Sequence, residues 1–222
     1  MLVLALDTAT ARITAGVVEL GEGGPVTLAA RDGEGARAHA ELLAPAIAEA
    51  LAEAGRTRRD LDAVVAGLGP GPFTGLRVGL VTAAAMGDAL GLPVHGVPTH
   101  DAVAAGHDGR LLVVTDARRR EVYWSLVADG VRTHGPEVTR PADLAARLGP
   151  DGDLGPVDAV LGDAAEQVGA PAGVPGPTPA GLVAVAAPAL RAGTVPGPLV
   201  PLYLRRPDAV PPGAPKAVTR TS

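Results

Sequence analysis

The sequence predicts an α/β protein with two similar lobes, each containing a mixed sheet flanked by helices. The main observation is an internal repeat, because residues 2–20 align with residues 111–129 without a gap. Each copy has an apolar strand, an aspartate (Asp7 or Asp116), a short polar turn and a second strand. This pattern is typical of a β-hairpin that carries an acid at its tip.

A second, shorter repeat supports the same division. Residues 62–67 resemble residues 158–163, and both segments follow a helical stretch. The order hairpin, strand, helix, strand, helix therefore occurs twice. The elements predicted after the two hairpins are strands at 26–31, 63–68, 131–138 and 159–162 and helices at 38–54, 75–90, 141–148 and 180–192.

The repeat also sets the expected domain boundaries. We expect a first lobe at residues 1–105 and a second lobe at residues 106–206. Residues 169–179 are rich in Pro and Gly, which predicts a loop. Residues 207–222 form a Pro-rich tail with few apolar side chains to bury, and we expect this tail to be disordered.

Composition excludes several classes of function. The chain has 222 residues, a formal net charge of −5 and no Cys, so disulfides, thiolate metal sites and Cys nucleophiles are excluded. A protein that binds a polyanion by itself is usually basic, and this one is mildly acidic. No apolar run approaches the ~20 residues that a membrane helix needs, so we expect a cytoplasmic protein.

Two lobes that each open with an acid-tipped hairpin are typical of the actin-like ATPase (ASKHA) fold, which includes sugar kinases and heat-shock ATPases. In such folds a hairpin tip can face phosphate and metal across the cleft between the lobes. Asp7, Thr8 and Thr10 are therefore the candidate nucleotide- or phosphate-facing residues. The alternative is that Asp7 and Asp116 only close tight turns, which is an ordinary role for Asp.

The glycine-rich segment from Gly67 to Gly79 joins a predicted strand to a predicted helix. It is not a P-loop, because no Gly-Lys-Ser/Thr follows, and it does not match GxGxxG. Thr74 is predicted to cap the helix, whose N–H groups could then receive an anion or a carboxylate of a partner. The alternative is a simple strand-to-helix turn.

Four motifs along the chain resemble one known family. They are Asp7-Thr-Ala-Thr10, the segment from Gly69 to Gly79, Asp116-Ala-Arg118 with Glu121-Val-Tyr-Trp124, and Pro201-Leu-Tyr-Leu-Arg205. All four aromatic residues of the chain lie in these motifs. Together the motifs resemble the TsaB (YeaZ) family, which assists the biosynthesis of threonylcarbamoyladenosine in tRNA. The motif residues expected to have structural roles are Gly69, Gly71, Thr74, Gly75, Arg77, Asp116, Arg118 and Glu121.

The resemblance implies a pseudoenzyme that serves as scaffold and activator for TsaD, its catalytic paralogue. A P-loop ATPase, TsaE, joins the heterodimer, and the complex modifies the adenosine beside the anticodon of tRNAs reading ANN codons. The chain would then contact tRNA indirectly and have no cofactor of its own, although Mg-ATP or ADP could bind at the joint surface with partners. A homodimer of the free chain is a further expectation.

In family members the two first-lobe helices pack against the equivalent helices of TsaD. Here Gly79, Ala83 and Gly87 stand four residues apart, which would allow another helix to approach closely. The alternative is that this stripe packs on the sheet of its own chain. The residues expected at the partner interface are Leu76, Gly79, Leu80, Ala83, Ala84 and Gly87 on the second helix, with Leu43 and Ile47 on the first.

The resemblance also predicts that the chain has no metal site. TsaD-type members carry a His-x-x-x-His pair after the second helix. Here His100 is followed four residues later by Ala104. No catalytic residue is assigned.

Three questions stay open on the sequence alone. One alternative function is an independent actin-like ATP-dependent kinase or transferase that uses Asp7 to hold Mg²⁺–nucleotide. A peptidase is a weaker alternative, because the chain lacks a metal pair, Cys and a recognisable Ser-His-Asp spacing. The triplet Arg118-Arg119-Arg120 could touch tRNA or a nucleotide phosphate, or it could only solvate a turn.

Overall fold

The computed structural model describes residues 1–34, 39–149, 151–173 and 176–205, and the predicted tail at 207–222 lies outside this part of the chain. The helices and strands agree closely with those predicted from the sequence. The first set comprises β1 (Leu2–Asp7), β2 (Arg12–Gly21), β3 (Gly24–Glu34), α1 (His39–Glu53), β4 (Ala63–Gly67), α2 (Phe73–Leu90), β5 (Val94–Val97) and α3 (Thr99–Ala104). The second set comprises β6 (Arg110–Asp116), β7 (Val122–Ala128), β8 (Val131–Thr139), α4 (Pro141–Leu148), β9 (Ala159–Leu161) and α5 (Pro179–Arg191).

The two sheets repeat one topology. The first sheet has the strand order β3-β2-β1-β4-β5, and the second has the order β8-β7-β6-β9. In each sheet the first hairpin strand pairs antiparallel with the next strand and parallel with the strand that follows the helix. Asp7 and Asp116 both occupy the last position of the first hairpin strand. The predicted duplication and the two mixed sheets are thus confirmed.

The first sheet has helices on both faces. The side chains of β1 are apolar on both sides, as is typical of a strand that is covered on each face. Leu4 and Leu6 of β1 join a core with residues of α1 and α2. Val3 and Ala5 point to the other face, where they join a core with residues of α5. The helix that the sequence assigned to the second lobe therefore packs on the first sheet. This corrects the predicted boundary, since residues 106–206 do not form one self-contained lobe.

A glycine allows α5, which follows the second sheet in the chain, to pack on the first sheet. Gly16 lies in β2 under the start of α5, where a Cβ atom would stand 2.5 Å from Cγ of Pro179. Because glycine has no side chain, the first turn of α5 can lie directly on the sheet. The apolar stripe of α5 then follows along the sheet through Leu182, Val183, Ala186 and Leu190.

The second sheet has a core of its own around Trp124. This side chain is fully buried and contacts a cluster that includes Leu112, Leu126 and Leu144. The Arg147 guanidinium lies 5.1 Å from the centre of the indole ring. Among the described helices, none is long and apolar enough to cross a membrane.

Candidate functional site

The first hairpin tip is closed to solvent. Asp7 is 1% exposed, its Oδ1 accepts a hydrogen bond from the Ala9 N–H (2.7 Å) and its Oδ2 accepts one from the Thr99 hydroxyl (2.6 Å). Burial raises the pKa of the Asp7 carboxyl to about 6, against the lowering effect of these two hydrogen bonds. Burial thus disfavours the ionised form of this carboxyl more than its two hydrogen bonds favour it.

The glycine-rich segment seals this tip from one side. A Cβ atom on Gly67 would lie 1.6 Å from Oδ2 of Asp7, and one on Gly71 would lie 2.2 Å from the Ala9 carbonyl oxygen. The Gly69 N–H donates to the hydroxyl of Thr99 (3.0 Å), which in turn donates to Asp7. Glycine is required at these positions because the loop backbone lies directly against the tip.

Thr8 and Thr10 are also buried, at 1% and 4% exposure. The Thr8 hydroxyl donates to the Gly75 carbonyl (2.7 Å) and accepts from the Gly79 N–H (3.0 Å), which fixes the first turns of α2 on the tip. A contact with nucleotide by Asp7, Thr8 and Thr10 stays a prediction. In the conformation described here, all three side chains are engaged within the chain.

The start of α2 differs from the sequence prediction. Pro72 is the residue before the first helical turn, and it makes no side-chain capping hydrogen bond. Thr74 lies inside the first turn and is exposed, so it is not the cap. The reason is that Pro, with its fixed φ, already begins the helix two residues earlier than the capping pattern indicated.

The second hairpin tip is open. Asp116 is half-buried, its Oδ1 accepts from the Arg118 N–H (2.9 Å), and its Oδ2 lies 3.4 Å from the Arg118 guanidinium. The next three residues, Arg118, Arg119 and Arg120, have φ of 60°, 55° and 62° and are exposed. Three consecutive left-handed residues other than glycine are unusual, because each costs conformational energy.

The C-terminal motif holds this second tip in place. Arg205 donates to the carbonyl oxygens of Ala117 (2.7 Å) and Arg118 (3.4 Å) and forms an ion pair with Glu121. The Leu202 N–H donates to the Leu68 carbonyl (2.8 Å), which attaches the same segment to the first lobe. The last motif therefore straps the two lobes together beside the arginine turn.

An aromatic pair lies next to this strap. The ring centres of Phe73 and Tyr203 are 4.8 Å apart, and the Arg77 guanidinium lies 3.9 Å from the centre of the Phe73 ring. The Arg77 Nε–H also donates to the Tyr203 hydroxyl (3.4 Å). These residues connect the start of α2 to the C-terminal segment.

The glycine-rich segment, the arginine turn and the strap surround a pocket of about 370 Å³, hereafter the inter-lobe pocket. Its lining comprises Gly71, Pro72, Phe73, Ala117, Arg118, Arg119, Tyr123, Tyr203, Leu204 and Arg205. Three of the four sequence motifs thus meet at one place, although their lining residues come from positions as far apart in the chain as 71 and 205. Sequence reasoning named most of these residues but not the pocket that they form.

The stripe of small residues on α2 faces the protein's own sheet. Leu76, Gly79, Leu80, Ala83 and Gly87 are all buried. A Cβ atom on Gly79 would stand 2.5 Å from the Thr8 hydroxyl oxygen, and one on Gly87 would stand 2.2 Å from a methyl group of Val94. Their assignment to a partner surface is therefore corrected, since close approach serves the packing of α2 on β1 and β5.

Of the other residues expected at the partner surface, some are buried and one is exposed. Leu43 of α1 is 1% exposed and belongs to the core, so its assignment is corrected too. Ile47 is 2% exposed but also lines the groove between α1 and α2, and its assignment stays a prediction. Ala84 is exposed on α2. The outer faces of α1 and α2 border a groove of about 440 Å³, which includes Ala44, Val81, Ala85, Met86 and Ala89. Val81 is 65% exposed, although it is a large apolar residue.

His100 lies between the lobes and is not placed as half of a metal pair. Its two ring nitrogens are 2.8 Å from the Ser125 hydroxyl and 3.0 Å from the Thr115 hydroxyl. Burial, with a smaller effect of Arg132, lowers the pKa of His100 to about 3, so the ring is neutral. Among the described residues, no cluster of three or more His, Asp or Glu side chains could hold a metal ion.

Comparison with known proteins shows the family to which this chain belongs. Residues 33–155 match the family described as TsaD, tRNA N6-adenosine threonylcarbamoyltransferase. The structure of YeaZ from Pseudomonas aeruginosa superimposes with a TM-score of 0.70 at 26% identity, over 91% of this chain and 99% of that one. The chain belongs to the TsaD family.

Two relatives match different shares of this chain. The tRNA threonylcarbamoyladenosine biosynthesis protein TsaB of Escherichia coli is 34% identical over 56% of this chain and 54% of its own length. An uncharacterized protein of Mycobacterium tuberculosis is 52% identical over 94% of both chains. The resemblance to TsaB and the α/β fold with two similar mixed sheets, both predicted from the sequence, are confirmed.

Proposed function

We propose that this chain works in the biosynthesis of threonylcarbamoyladenosine in tRNA, as a non-catalytic partner subunit. The observation that carries the proposal is the apolar groove on the outer faces of α1 and α2, in a chain that belongs to the TsaD family and resembles TsaB. Exposed apolar surface of this kind, on otherwise well-packed helices, marks protein–protein contact.

The partner proposed for this groove is a TsaD-type catalytic subunit. The groove offers Val81, Met86 and the small side chains of Ala85 and Ala89, so two helices of a related lobe could pack closely there. A second copy of this chain would present the same surface, so we expect a homodimer in the absence of the partner. A TsaE-type ATPase and the tRNAs reading ANN codons would join through the complex.

The non-catalytic role is supported by the first hairpin tip. An actin-like kinase would need the tip carboxylate to face nucleotide and metal, whereas Asp7 is 1% exposed and hydrogen-bonded to Ala9 and Thr99. Mg-ATP or ADP, if used, would then bind at the joint surface with partners rather than at Asp7. We expect no ATP turnover by the isolated chain.

Co-purification of the tagged full chain with a TsaD-type protein tests this proposal. Val81→Glu places a charge in the groove without touching the core, so we expect it to abolish association. Val131→Glu is the matched control, because Val131 is 67% exposed on β8 in the second lobe. A folded Val81→Glu variant that still binds the partner would contradict the interface assignment.

A further inference from the structure

Helix α3 lies where the two lobes meet, and its side chains contact both of them. It follows β5 of the first sheet and precedes β6 of the second. Thr99, its first residue, donates to the Asp7 carboxyl and accepts from the Gly69 N–H, which both belong to the first lobe. The next two residues, His100 and Asp101, reach the second lobe. A helix of six residues is therefore attached on two sides.

His100 attaches α3 to the second sheet. Its side chain is 0% exposed, with one ring nitrogen 2.8 Å from the Ser125 hydroxyl on β7 and the other 3.0 Å from the Thr115 hydroxyl on β6. Both hydroxyls are buried as well. Because buried polar groups lose their partners when such hydrogen bonds break, separation of α3 from the sheet is unfavourable.

An ion pair attaches α3 to a third strand of the same sheet. The Asp101 carboxyl lies 3.5 Å from Nε of Arg132 on β8, and the two side chains are only 21% and 25% exposed. Partly buried charges are screened by salt much less than charges on the surface. The helix thus has polar contacts with β6, β7 and β8 of the second sheet.

The apolar residues of α3 divide between two cores. Ala102 belongs to the core between the first sheet and α5. Val103 and Ala104 belong to a core with residues of β6 and β7. Helix α5 also approaches α3 closely, since a Cβ atom on Gly181 would stand 2.4 Å from the Ala102 carbonyl oxygen. A tilt of α3 would disturb both cores, and close-packed interiors resist such a change.

The C-terminal strap attaches the lobes at a second place. Arg205 donates to the carbonyl oxygens of Ala117 and Arg118 in the second lobe. The Leu202 N–H, three residues earlier, donates to the Leu68 carbonyl in the first lobe. The contacts of α3 are therefore reinforced by a segment that lies far from α3 in the chain.

A carboxyl group joins the two hairpin tips directly. Asp163, which follows β9, accepts from the Asp116 N–H (3.0 Å) and from the Ala11 N–H of the first tip. Burial raises the pKa of the Asp163 carboxyl, and these two hydrogen bonds oppose the rise. The lobes are thus attached by α3, by the strap and by Asp163.

We propose that α3 is a fixed joint that holds the two lobes in one relative orientation. Closure about a hinge needs a few residues that can change their backbone angles. Here the connecting helix is held from both sides, so opening the lobes would break the contacts of His100 and Asp101 together. The α1–α2 groove and the arginine turn then stay at a constant distance. The proposal concerns the chain alone and does not rest on the proposed function.

Pulsed electron paramagnetic resonance of the full chain measures this orientation. The sequence contains no Cys, so Ala52→Cys on α1 and Ala145→Cys on α4 give two spin labels at exposed positions, one on each lobe. An excess of unlabelled chain removes the distances between copies. We expect one narrow distance distribution that Mg-ADP does not shift. Two distance populations, or a shift on addition of Mg-ADP, would overturn the proposal.

Two variants test whether α3 is responsible. His100→Ala removes both hydrogen bonds to the second sheet, so we expect a wider distance distribution. Arg132→Gln removes the ion pair with Asp101 at a side chain that is 25% exposed, so this variant should fold and show a smaller widening. Arg191→Gln is the control, because it removes a hydrogen bond to the Gly21 carbonyl within the first lobe and should leave the distribution unchanged.

Circular dichroism establishes that each variant is folded before its distances are measured. Widening in a folded His100→Ala or Arg132→Gln protein, with none in Arg191→Gln, supports the proposal. If both variants are folded and keep the distribution of the wild type, the lobes are not held by α3 and the proposal is wrong.

Discussion

The two hairpin tips come from one repeated sequence unit but have opposite surroundings. Asp7 is 1% exposed, and its tip is covered by the glycine-rich segment and by Thr99. Asp116 is only half-buried, and its tip continues into an exposed arginine turn that borders the inter-lobe pocket. One copy has become part of the core, while the other presents charge to the solvent.

The comparison shows that an acid at a hairpin tip does not by itself identify a catalytic group. At the first tip the neighbouring backbone approaches so closely that glycine is required at 67 and 71. At the second tip the neighbour is the side chain of Arg205, which leaves space for a pocket.

The largest expected effect is at Gly67. A Cβ atom there would overlap Oδ2 of Asp7, and neither the strand nor the buried carboxyl can move away. We expect Gly67→Ala to lower the free energy of unfolding by more than about 3 kcal/mol. Gly23→Ala is the control, since nothing lies within 4 Å of its Cβ position. Equal denaturation midpoints for the two variants would show that the tip is not tightly packed.

The next effect is a pH dependence caused by Asp7. Its folded pKa of about 6 exceeds the ordinary value of 3.8, so the native state binds its proton more tightly than the unfolded state does. The stability that this proton contributes is complete below pH 3.8 and is lost as the pH rises through 6. At pH 7 the loss amounts to at most about 3 kcal/mol.

Asp7→Asn removes this titration. The stability of the wild type relative to Asp7→Asn should therefore fall between pH 4 and pH 7, and thermal unfolding of both proteins across that interval measures it. Taking the difference between the two proteins cancels the contributions of other titrating groups. A difference that stays constant with pH would mean that Asp7 has an ordinary pKa.

A smaller loss is expected from Thr99→Val. The substitution keeps the shape of the side chain but removes the hydroxyl that donates to Asp7 and accepts from the Gly69 N–H. Leaving these buried groups without partners should cost about 2 kcal/mol. Urea denaturation measures this cost, and Thr27→Val, at an exposed position of β3, should be nearly neutral.

The smallest expected effect is a gain in stability, and it concerns the second hairpin tip. Arg119 adopts φ of 55°, so Arg119→Gly relieves strain that outweighs the added entropy of the unfolded chain. We expect a gain of about 0.5 kcal/mol, seen as a higher melting temperature. A lower melting temperature would show that contacts of the Arg119 side chain stabilise the turn more than its backbone strains it.

The sequence was sufficient to predict the elements because their periodicity is local. The hairpins, the two mixed sheets and helices α1, α2, α4 and α5 follow from apolar spacing and turn residues. The strand β5 and helix α3 were missed, since four and six residues are too short to show a period. Helix α3 carries His100, which bridges to the second lobe.

Contacts between distant segments were harder to predict. The spacing of Gly79, Ala83 and Gly87 correctly indicates close approach, but it does not say which surface approaches, and here that surface is the chain's own sheet. The same limit applies to α5, whose apolar face packs on the first sheet although the helix follows the second sheet in the chain. The inter-lobe pocket depends on segments around 72, 118 and 204 meeting in space, which no local pattern encodes.

Nucleoside mass spectrometry of tRNA tests the central claim most directly, namely that the chain serves threonylcarbamoyladenosine synthesis without using Asp7 as a catalyst. Cells depleted of the protein would be complemented either with the wild type or with Asp7→Asn. We predict that depletion removes threonylcarbamoyladenosine and that both proteins restore it. Unchanged modification after depletion, or failure of a folded Asp7→Asn protein to restore it, would contradict the account.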